Sequence, residues 1–170
     1  MNPPGQKSPM RRDPFHASDD HARSLARRLL GSCRHAILAT QDAETGFPLV
    51  TRIALQTEKH GVPIALLSDL ARHSQALRVD NRAGLLIGDA SPDTDPMRAP
   101  RLSIQGRATI MPLTPAVRAA WLERDPWARA YIDLPDFRLW RIDPVHGLLN
   151  AGFGRAYRME AADMLLPPTA

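Results

Sequence analysis

Short apolar or alternating apolar–polar runs follow one another along most of this chain, with turn residues between them. The pattern predicts strands at residues 34–40, 48–56, 62–68, 82–88, 101–111, 137–142 and 147–159. The breaks at 42–46 and 58–61 end in glycine, which is typical of hairpin turns. Because the strands lie too close together in sequence for repeated crossover helices, the pattern argues against a parallel α/β sheet.

Helical signals lie at the start of the chain and at two insertions between strands. Ser18 is predicted to cap a first helix whose apolar residues recur at helical spacing as far as Gly31. A short helix is predicted over 73–81. The Thr-Pro pair at 114–115 and the Asp-Pro pair at 125–126 each place a capping residue before a proline, which is typical of a helix start. The whole pattern predicts a mainly β (α+β) fold, a closed β-barrel with peripheral helices.

The length of 170 residues fits one domain. We predict a folded domain over 18–160, a disordered tail over the proline-rich segment 1–17 and a C-terminal tail over 161–170. The single cysteine, Cys33, excludes an internal disulfide. It adjoins an apolar strand, and we therefore predict that it is a small core residue.

Composition and charge exclude several classes of protein. The net charge is +4, but the arginines are dispersed among acidic residues and only 5% of residues are aromatic, so we predict no nucleic-acid partner. No apolar run approaches the roughly 20 residues of a membrane span, and the N-terminus lacks the apolar centre of a secretory signal. The six histidines show no metal-ligand spacing. We expect a soluble, cytoplasmic protein without a membrane partner or a bound metal.

One polar segment stands where a predicted strand gives way to a helix. It gathers side-chain donors at Ser68, Arg72, His73 and Ser74. The backbone N–H groups at a helix start are unpaired and favour an anion, so this segment suits the phosphate of a cofactor. A polar helix start capped by local hydrogen bonds is the alternative. Arg52 interrupts an apolar strand. An arginine at this position either faces solvent on the outer side of the barrel or binds a ligand.

Four segments occur in the order of a known family: PLVTRIAL at 48–55, LSDLARHS at 67–74, RLSIQGRA at 101–108 and GFGRA at 152–156. Together they resemble the FMN-binding split-barrel proteins related to pyridoxamine 5'-phosphate oxidase. The second and fourth segments are most similar to the haem-utilisation branch of that superfamily. The similarity runs from about residue 22 to residue 159.

This resemblance implies a six-stranded split β-barrel that forms a homodimer, with FMN held at the subunit interface. Arg52 and the backbone of Ile53 and Ala54 would lie along the isoalloxazine edge. Arg101 would approach the flavin from the neighbouring subunit. Four side chains would surround the phosphate, namely Ser68, Arg72, His73 and Ser74. The opening of the site would be lined by Asn150, Gly152, Phe153 and Gly154.

The implied activity is that of an FMN-dependent oxidoreductase acting on a small molecule that the sequence does not identify. Where pyridoxamine phosphate oxidases carry an Arg-Lys pair, this chain has His73 and Ser74, which argues against pyridoxamine phosphate as the substrate. No side chain is assigned as a catalytic acid or base. The alternative is a non-catalytic protein that binds FMN or haem and takes part in haem utilisation.

Overall fold

The computed structural model describes residues 13–88 and 93–167. Eight strands and five helical segments follow one another along this part of the chain. They are β1 (His16–Ala17), α1 (Asp20–Ser32), β2 (His35–Gln41), β3 (Pro48–Thr57), β4 (Pro63–Ser68), α2 (Arg72–Val79), β5 (Arg82–Ile87), β6 (Arg101–Met111), α3 (Pro115–Arg124), a 3₁₀ helix (Pro126–Ala130), β7 (Phe137–Asn150), β8 (Ala156–Glu160) and α4 (Ala161–Met164). None of the helices in the described ranges is long and apolar enough to cross a membrane.

Six of the strands close into an antiparallel barrel. The strand order is β1-β8-β7-β4-β3-β2-β5-β6, and β6 also pairs with β7, which joins the two ends of the six-stranded run. Strand β8 pairs with the outer part of β7, and β1 adds to β8 in parallel. The predicted mainly β fold, a six-stranded split barrel with peripheral helices, is confirmed.

Alternating side chains of the barrel strands build the core, as the period-two pattern predicts. In β6, Leu102 and Ile104 are buried while Gln105 is exposed. The apolar face of α1 joins the same core through Leu25 and Leu30. A second apolar cluster lies under α3 and the 3₁₀ helix and packs them on β4 and β7; its buried members are Ile64, Leu66, Trp121, Ala128, Ile132 and Leu139.

Strand β7 differs from its prediction, which placed strands at 137–142 and 147–159. The structure has one continuous strand from 137 to 150, and the chain turns at 151–155 before β8. The pairing with β6 shifts between Gln105 and Gly106, where Gln105 faces His146 and Gly106 faces Pro144. This β-bulge explains how Pro144 stays within the strand, because a bulge tolerates a residue without an N–H donor.

The helix ends also differ from the predictions. Asp19, not Ser18, caps α1, and its carboxylate accepts a 2.7 Å hydrogen bond from the N–H of Ala22. The second helix covers 72–79 instead of 73–81. Thr114 caps α3 through the N–H of Val117, as predicted. The side chain of Asp125 makes no capping hydrogen bond to the 3₁₀ helix, although Asp125, like Thr114, stands directly before a proline.

The segments predicted as tails are partly structured. Residues 1–12 and 168–170 lie outside the described part of the chain, but His16 and Ala17 pair with Tyr157 and Arg158 of β8. At the other end, α4 follows β8 directly and buries Met164 in the main core. The packed part of the chain therefore extends beyond 18–160 at both ends.

Cys33 lies in the core, as predicted. Its side chain is buried at the end of α1, and its thiol donates a hydrogen bond to the carbonyl of Leu30. Burial raises the pKa of the Cys33 thiol to about 11, so the group is an uncharged thiol at neutral pH. Since the thiolate is the reactive form, Cys33 is inert in the folded chain.

We expect Gly106→Ala to lower the free energy of unfolding by about 1–3 kcal/mol through overpacking. A Cβ at this position would lie 2.6 Å from the carbonyl oxygen of Asp143 and 3.1 Å from Cγ2 of Ile142. Gly31→Ala is the matched control, because its Cβ would have no heavy atom within 4 Å. Urea unfolding followed by tryptophan fluorescence measures both. An unfolding midpoint for Gly106→Ala equal to that of the native chain would contradict the close packing at the bulge.

Candidate functional site

A groove with a volume of about 290 Å³ opens where the end of β4 and the start of α2 meet β3. It brings together five of the residues predicted to bind the cofactor, namely Arg52, Ile53, Ala54, Ser68 and His73. Residues of β4 contribute to the lining, and two aromatic residues that follow the 3₁₀ helix form one wall. We call this the Arg52 groove.

Arg52 is the cation of this groove. It stands on the outer side of the barrel wall, next to Ile53, whose side chain points inward and is buried. Within the described residues, no carboxylate or carbonyl makes an ion pair or hydrogen bond with its guanidinium. Most other arginines in the described ranges have such partners. An exposed guanidinium without a partner beside an apolar cleft is suited to an anionic or electron-rich ligand.

The start of α2 is the second anion-favouring feature of the groove. Ala71 occupies the N-cap position and offers no side-chain hydrogen bond to the helix. The first amides of a helix have no acceptor within the helix, and they carry partial positive charge. Ala71 and His73 line the groove, so these amides lie at its edge.

His73 contributes a neutral ring to the groove. Its Nδ1 lies 3.2 Å from Oγ1 of Thr51, which fixes the ring against β3. Burial lowers the pKa of His73, so the imidazole is uncharged at neutral pH. A neutral imidazole has one N–H donor and one lone pair, and the tautomer decides which of them faces the ligand.

Arg72 does not line the groove. Its guanidinium forms ion pairs with Asp42, at 3.0 Å, and with Glu44, at 2.7 Å, both in the turn between β2 and β3. Hydrogen bonds from the backbone and side chain of Thr45 and from the N–H of Glu44 also hold the Asp42 carboxylate. These bonds lower the pKa of Asp42, so the carboxylate is charged at neutral pH.

Neither of the two predicted serine donors is available to a ligand in the groove: one makes hydrogen bonds within the chain and the other is buried. Ser68 donates its hydroxyl proton to the carboxylate of Asp136 at 2.5 Å and accepts from the N–H of Leu70 at 3.1 Å. Ser74 is fully buried and does not line the groove, and its hydroxyl has no hydrogen-bond partner within the described structure. The predicted cluster of phosphate donors is therefore only partly assembled in the single chain.

The remaining predicted residues form a separate group where β6 begins and β7 ends. Arg101 pairs with Asn150 across these strands, and its guanidinium donates to the carbonyl of Met97 at 3.2 Å. The Asn150 carboxamide accepts from the N–H of Gly152 at 3.1 Å. Gly152 and Gly154 have φ values of +117° and +73°, which favour glycine. Phe153 between them is 90% exposed.

The barrel wall separates these two groups of residues in one chain. Arg52 on β3 pairs with Ile37 on β2, Ile37 with Leu86 on β5, and Leu86 with Ser103 on β6. Three spacings between strands amount to roughly 14 Å, and Arg101 lies two residues further along β6. The Arg52 groove and the Arg101 group therefore do not form one site within a single chain.

Sequence reasoning missed the aromatic wall and one carboxylate. The rings of Tyr131 and Phe137 pack with centroids 5.1 Å apart, and both line the groove. The Tyr131 hydroxyl donates to Asp125, and burial raises the pKa of Tyr131. Asp136, which accepts from Ser68, precedes Phe137. Tyr131 and Asp136 lie in the segment before β7 and Phe137 begins that strand, so all three are more than 60 residues away from Ser68, and no local pattern joins them to it.

The residues present fit a planar molecule with anionic character, such as FMN. The groove has apolar and aromatic walls, one free guanidinium and an uncapped helix start. No group of three or more histidine, cysteine or acidic side chains in the described ranges could hold a metal ion. The chemistry available to the chain's own residues is binding and electrostatic stabilisation.

Comparison with solved structures supports the fold. One solved chain is 59% identical, covers 89% of this chain over its own full length and superposes with a TM-score of 0.86. A haem binding protein from Mycobacterium smegmatis is 28% identical, with a TM-score of 0.76 over 87% of this chain. A protein of unknown function from Agrobacterium tumefaciens is 27% identical, with a TM-score of 0.77 over 88%. This chain covers only 61% and 62% of the length of those two proteins.

Sequence comparison gives the family. The haem oxygenase HutZ of Vibrio cholerae is 29% identical over 144 residues, which is 75% of each protein. The profile described as pyridoxamine 5'-phosphate oxidase matches residues 23–150, about three quarters of the chain. This match confirms the resemblance predicted from the four segments. The chain therefore belongs to the pyridoxamine 5'-phosphate oxidase family.

Proposed function

We propose that this chain binds FMN in the Arg52 groove and acts as an oxidoreductase on a small molecule. The observation that carries the proposal is the unpartnered guanidinium of Arg52 beside the uncapped start of α2, in a groove with apolar and aromatic walls. When bound, FMN supplies two-electron transfer. Arg52 contributes a fixed positive charge that stabilises negative charge on the ligand. Tyr131 and Phe137 exclude water from one side of the groove.

A second candidate is haem binding, with or without turnover. Two relatives that are 28–29% identical are described as a haem oxygenase and a haem binding protein. The half-buried neutral imidazole of His73 gives the groove a nitrogen ligand for iron. Haem is also planar and anionic, so the groove walls and Arg52 suit it as well.

The proposed assembly is a homodimer in which each groove is completed by the other subunit. A strip that is apolar except for Ser103 crosses the outer wall of the barrel through the cross-strand pairs Ile37–Leu86, Leu86–Ser103 and Ser103–Leu148. Leu86 and Leu148 are 40% and 46% exposed, and Val50 nearby is 61% exposed. An apolar strip of this kind is typical of a protein interface.

Twofold symmetry explains why a second copy suits this surface. The strip begins beside Arg52 and continues to the strand that carries Arg101. In an isologous interface, the two subunits contact each other through the same patch in opposite orientations. The groove at one end of the patch in one subunit therefore faces the other end of the patch in the partner subunit. Arg101 of the partner subunit then approaches the groove that Arg101 of the same chain cannot reach.

The absorbance spectrum of the purified protein tests the identity of the cofactor. We expect flavin bands that bleach with dithionite, and FMN in the supernatant after heat release. A Soret band that shifts in His73→Ala would favour haem instead. A colourless protein that takes up neither added FMN nor added haem would contradict both candidates. Reduction of bound flavin by NAD(P)H and reoxidation by an acceptor would distinguish an enzyme from a carrier.

Arg52→Gln is expected to raise the dissociation constant of FMN by about tenfold to a hundredfold, because it removes a charged hydrogen-bond donor. Quenching of flavin fluorescence measures the affinity. Arg82→Gln is the matched control: Arg82 is another exposed strand arginine, but it lies on β5 outside the groove and pairs with Asp80. An equal loss of affinity in the two variants would point to net charge and not to the groove.

Leu86→Arg is expected to convert the dimer to a monomer and to weaken flavin binding, because it places a charge in the apolar strip. Val79→Arg is the control, since Val79 is 75% exposed at the end of α2, outside the strip. Sedimentation equilibrium measures the mass of each variant. A native protein that sediments as a monomer and keeps its flavin would contradict the shared site.

A further inference from the structure

The charges around the start of α2 are balanced, whereas a phosphate dianion is favoured by an excess of positive charge. Four arginines surround this segment in the described structure, and four carboxylates accompany them. The arginines are Arg52, Arg72, Arg78 and Arg138, and the carboxylates are Asp42, Glu44, Asp69 and Asp136. Three of the four arginines are already paired.

Of the two carboxylates that pair with Arg72, only Glu44 is readily displaced by a ligand. Glu44 is 79% exposed, and an exposed ion pair of this kind is weak, so a ligand can displace Glu44. Asp42 stays in place, because Thr45 and the N–H of Glu44 hold its carboxylate independently of Arg72. The positive charge of Arg72 therefore remains largely compensated when a phosphate arrives.

Asp136 places a further negative charge next to the groove. Its carboxylate accepts a hydrogen bond from the hydroxyl of Ser68, a groove residue at the end of β4. A phosphate near Ser68 would meet this carboxylate, and like charges repel. Asp69 is also negative, and it pairs with both Arg78 and Arg138. Besides Arg52, which the proposed function assigns to the flavin ring, the donors left for a phosphate are the first amides of α2 and the neutral ring of His73.

We propose that Asp42, Glu44 and Asp136 determine the ligand class of the Arg52 groove, so that it binds flavins by their planar ring and gains little from the phosphate. Riboflavin, the flavin without the phosphate, is then nearly as good a ligand as FMN. This inference rests on the proposed flavin function of the groove. The ring is held by the Arg52 side of the groove and its aromatic wall, which do not involve these carboxylates.

The test compares the dissociation constants of FMN and riboflavin by fluorescence quenching in the native protein, Glu44→Gln and Asp136→Asn. In the native protein, we expect the two constants to lie within about fivefold of each other, because the phosphate adds little net interaction. Each variant should tighten FMN by roughly three- to tenfold, since one nearby like charge is removed, and leave riboflavin unchanged. Glu44 lies on an exposed turn, so Glu44→Gln is expected to fold even if Asp136→Asn does not.

Asp20→Asn is the matched control for net charge. It removes one negative charge from α1, where the Asp20 side chain is fully exposed and remote from the groove, and it should change neither constant. FMN that binds at least a hundredfold more tightly than riboflavin to the native protein would overturn the inference and leave the flavin function intact. A ratio of the FMN and riboflavin dissociation constants that is the same in both variants as in the native protein would also overturn the inference and leave the flavin function intact. Absence of binding of both flavins in every variant would overturn the flavin function as well.

Discussion

The pairing of β7 with three other strands is the constraint on which the rest of the structure depends. β7 closes the barrel by pairing with β4 and β6, and its outer half carries β8. The register also fixes both groups of candidate residues. At one end, Phe137 pairs with Ser68 and becomes part of the groove wall; at the other, Asn150 pairs with Arg101. The 14 residues of β7 therefore hold the two groups at opposite ends of one strand.

The sequence predicts those parts of the structure that depend on neighbouring residues. Strand β6 has the predicted bounds, because its side chains alternate between the core and solvent over 11 residues. The continuity of β7 was not predicted, because Pro144 is tolerated only through a bulge opposite Gly106. Five residues of the Arg52 groove were predicted from the family segments, but its aromatic wall was not. The pairing of Arg72 with Asp42 and Glu44 could not be predicted from the sequence, because these carboxylates lie 28–30 residues away in the turn between β2 and β3.

The contents of the groove suit both of the proposed ligands. Apolar walls, one free guanidinium and a helix start favour a planar molecule with negative charge, and FMN and haem share these properties. A fold does not determine function; the residues grafted onto it do. In the function proposed for this chain, those residues are the carboxylates that pair with Arg72 and Ser68, and the neutral imidazole of His73. These side chains alter the charge around the groove, whereas the barrel strands stay the same.

In the proposed dimer, cofactor binding and assembly are linked. Each site would use the groove of one subunit and Arg101 of the partner subunit, so a ligand would bind the dimer more tightly than the monomer. A ligand with this preference stabilises the dimer by mass action, and the dimer in turn raises the affinity for the ligand. If the phosphate end of the groove contributes little, the contacts across the interface supply a larger share of the binding free energy. The balanced charges at α2 would thus make flavin retention depend more strongly on assembly.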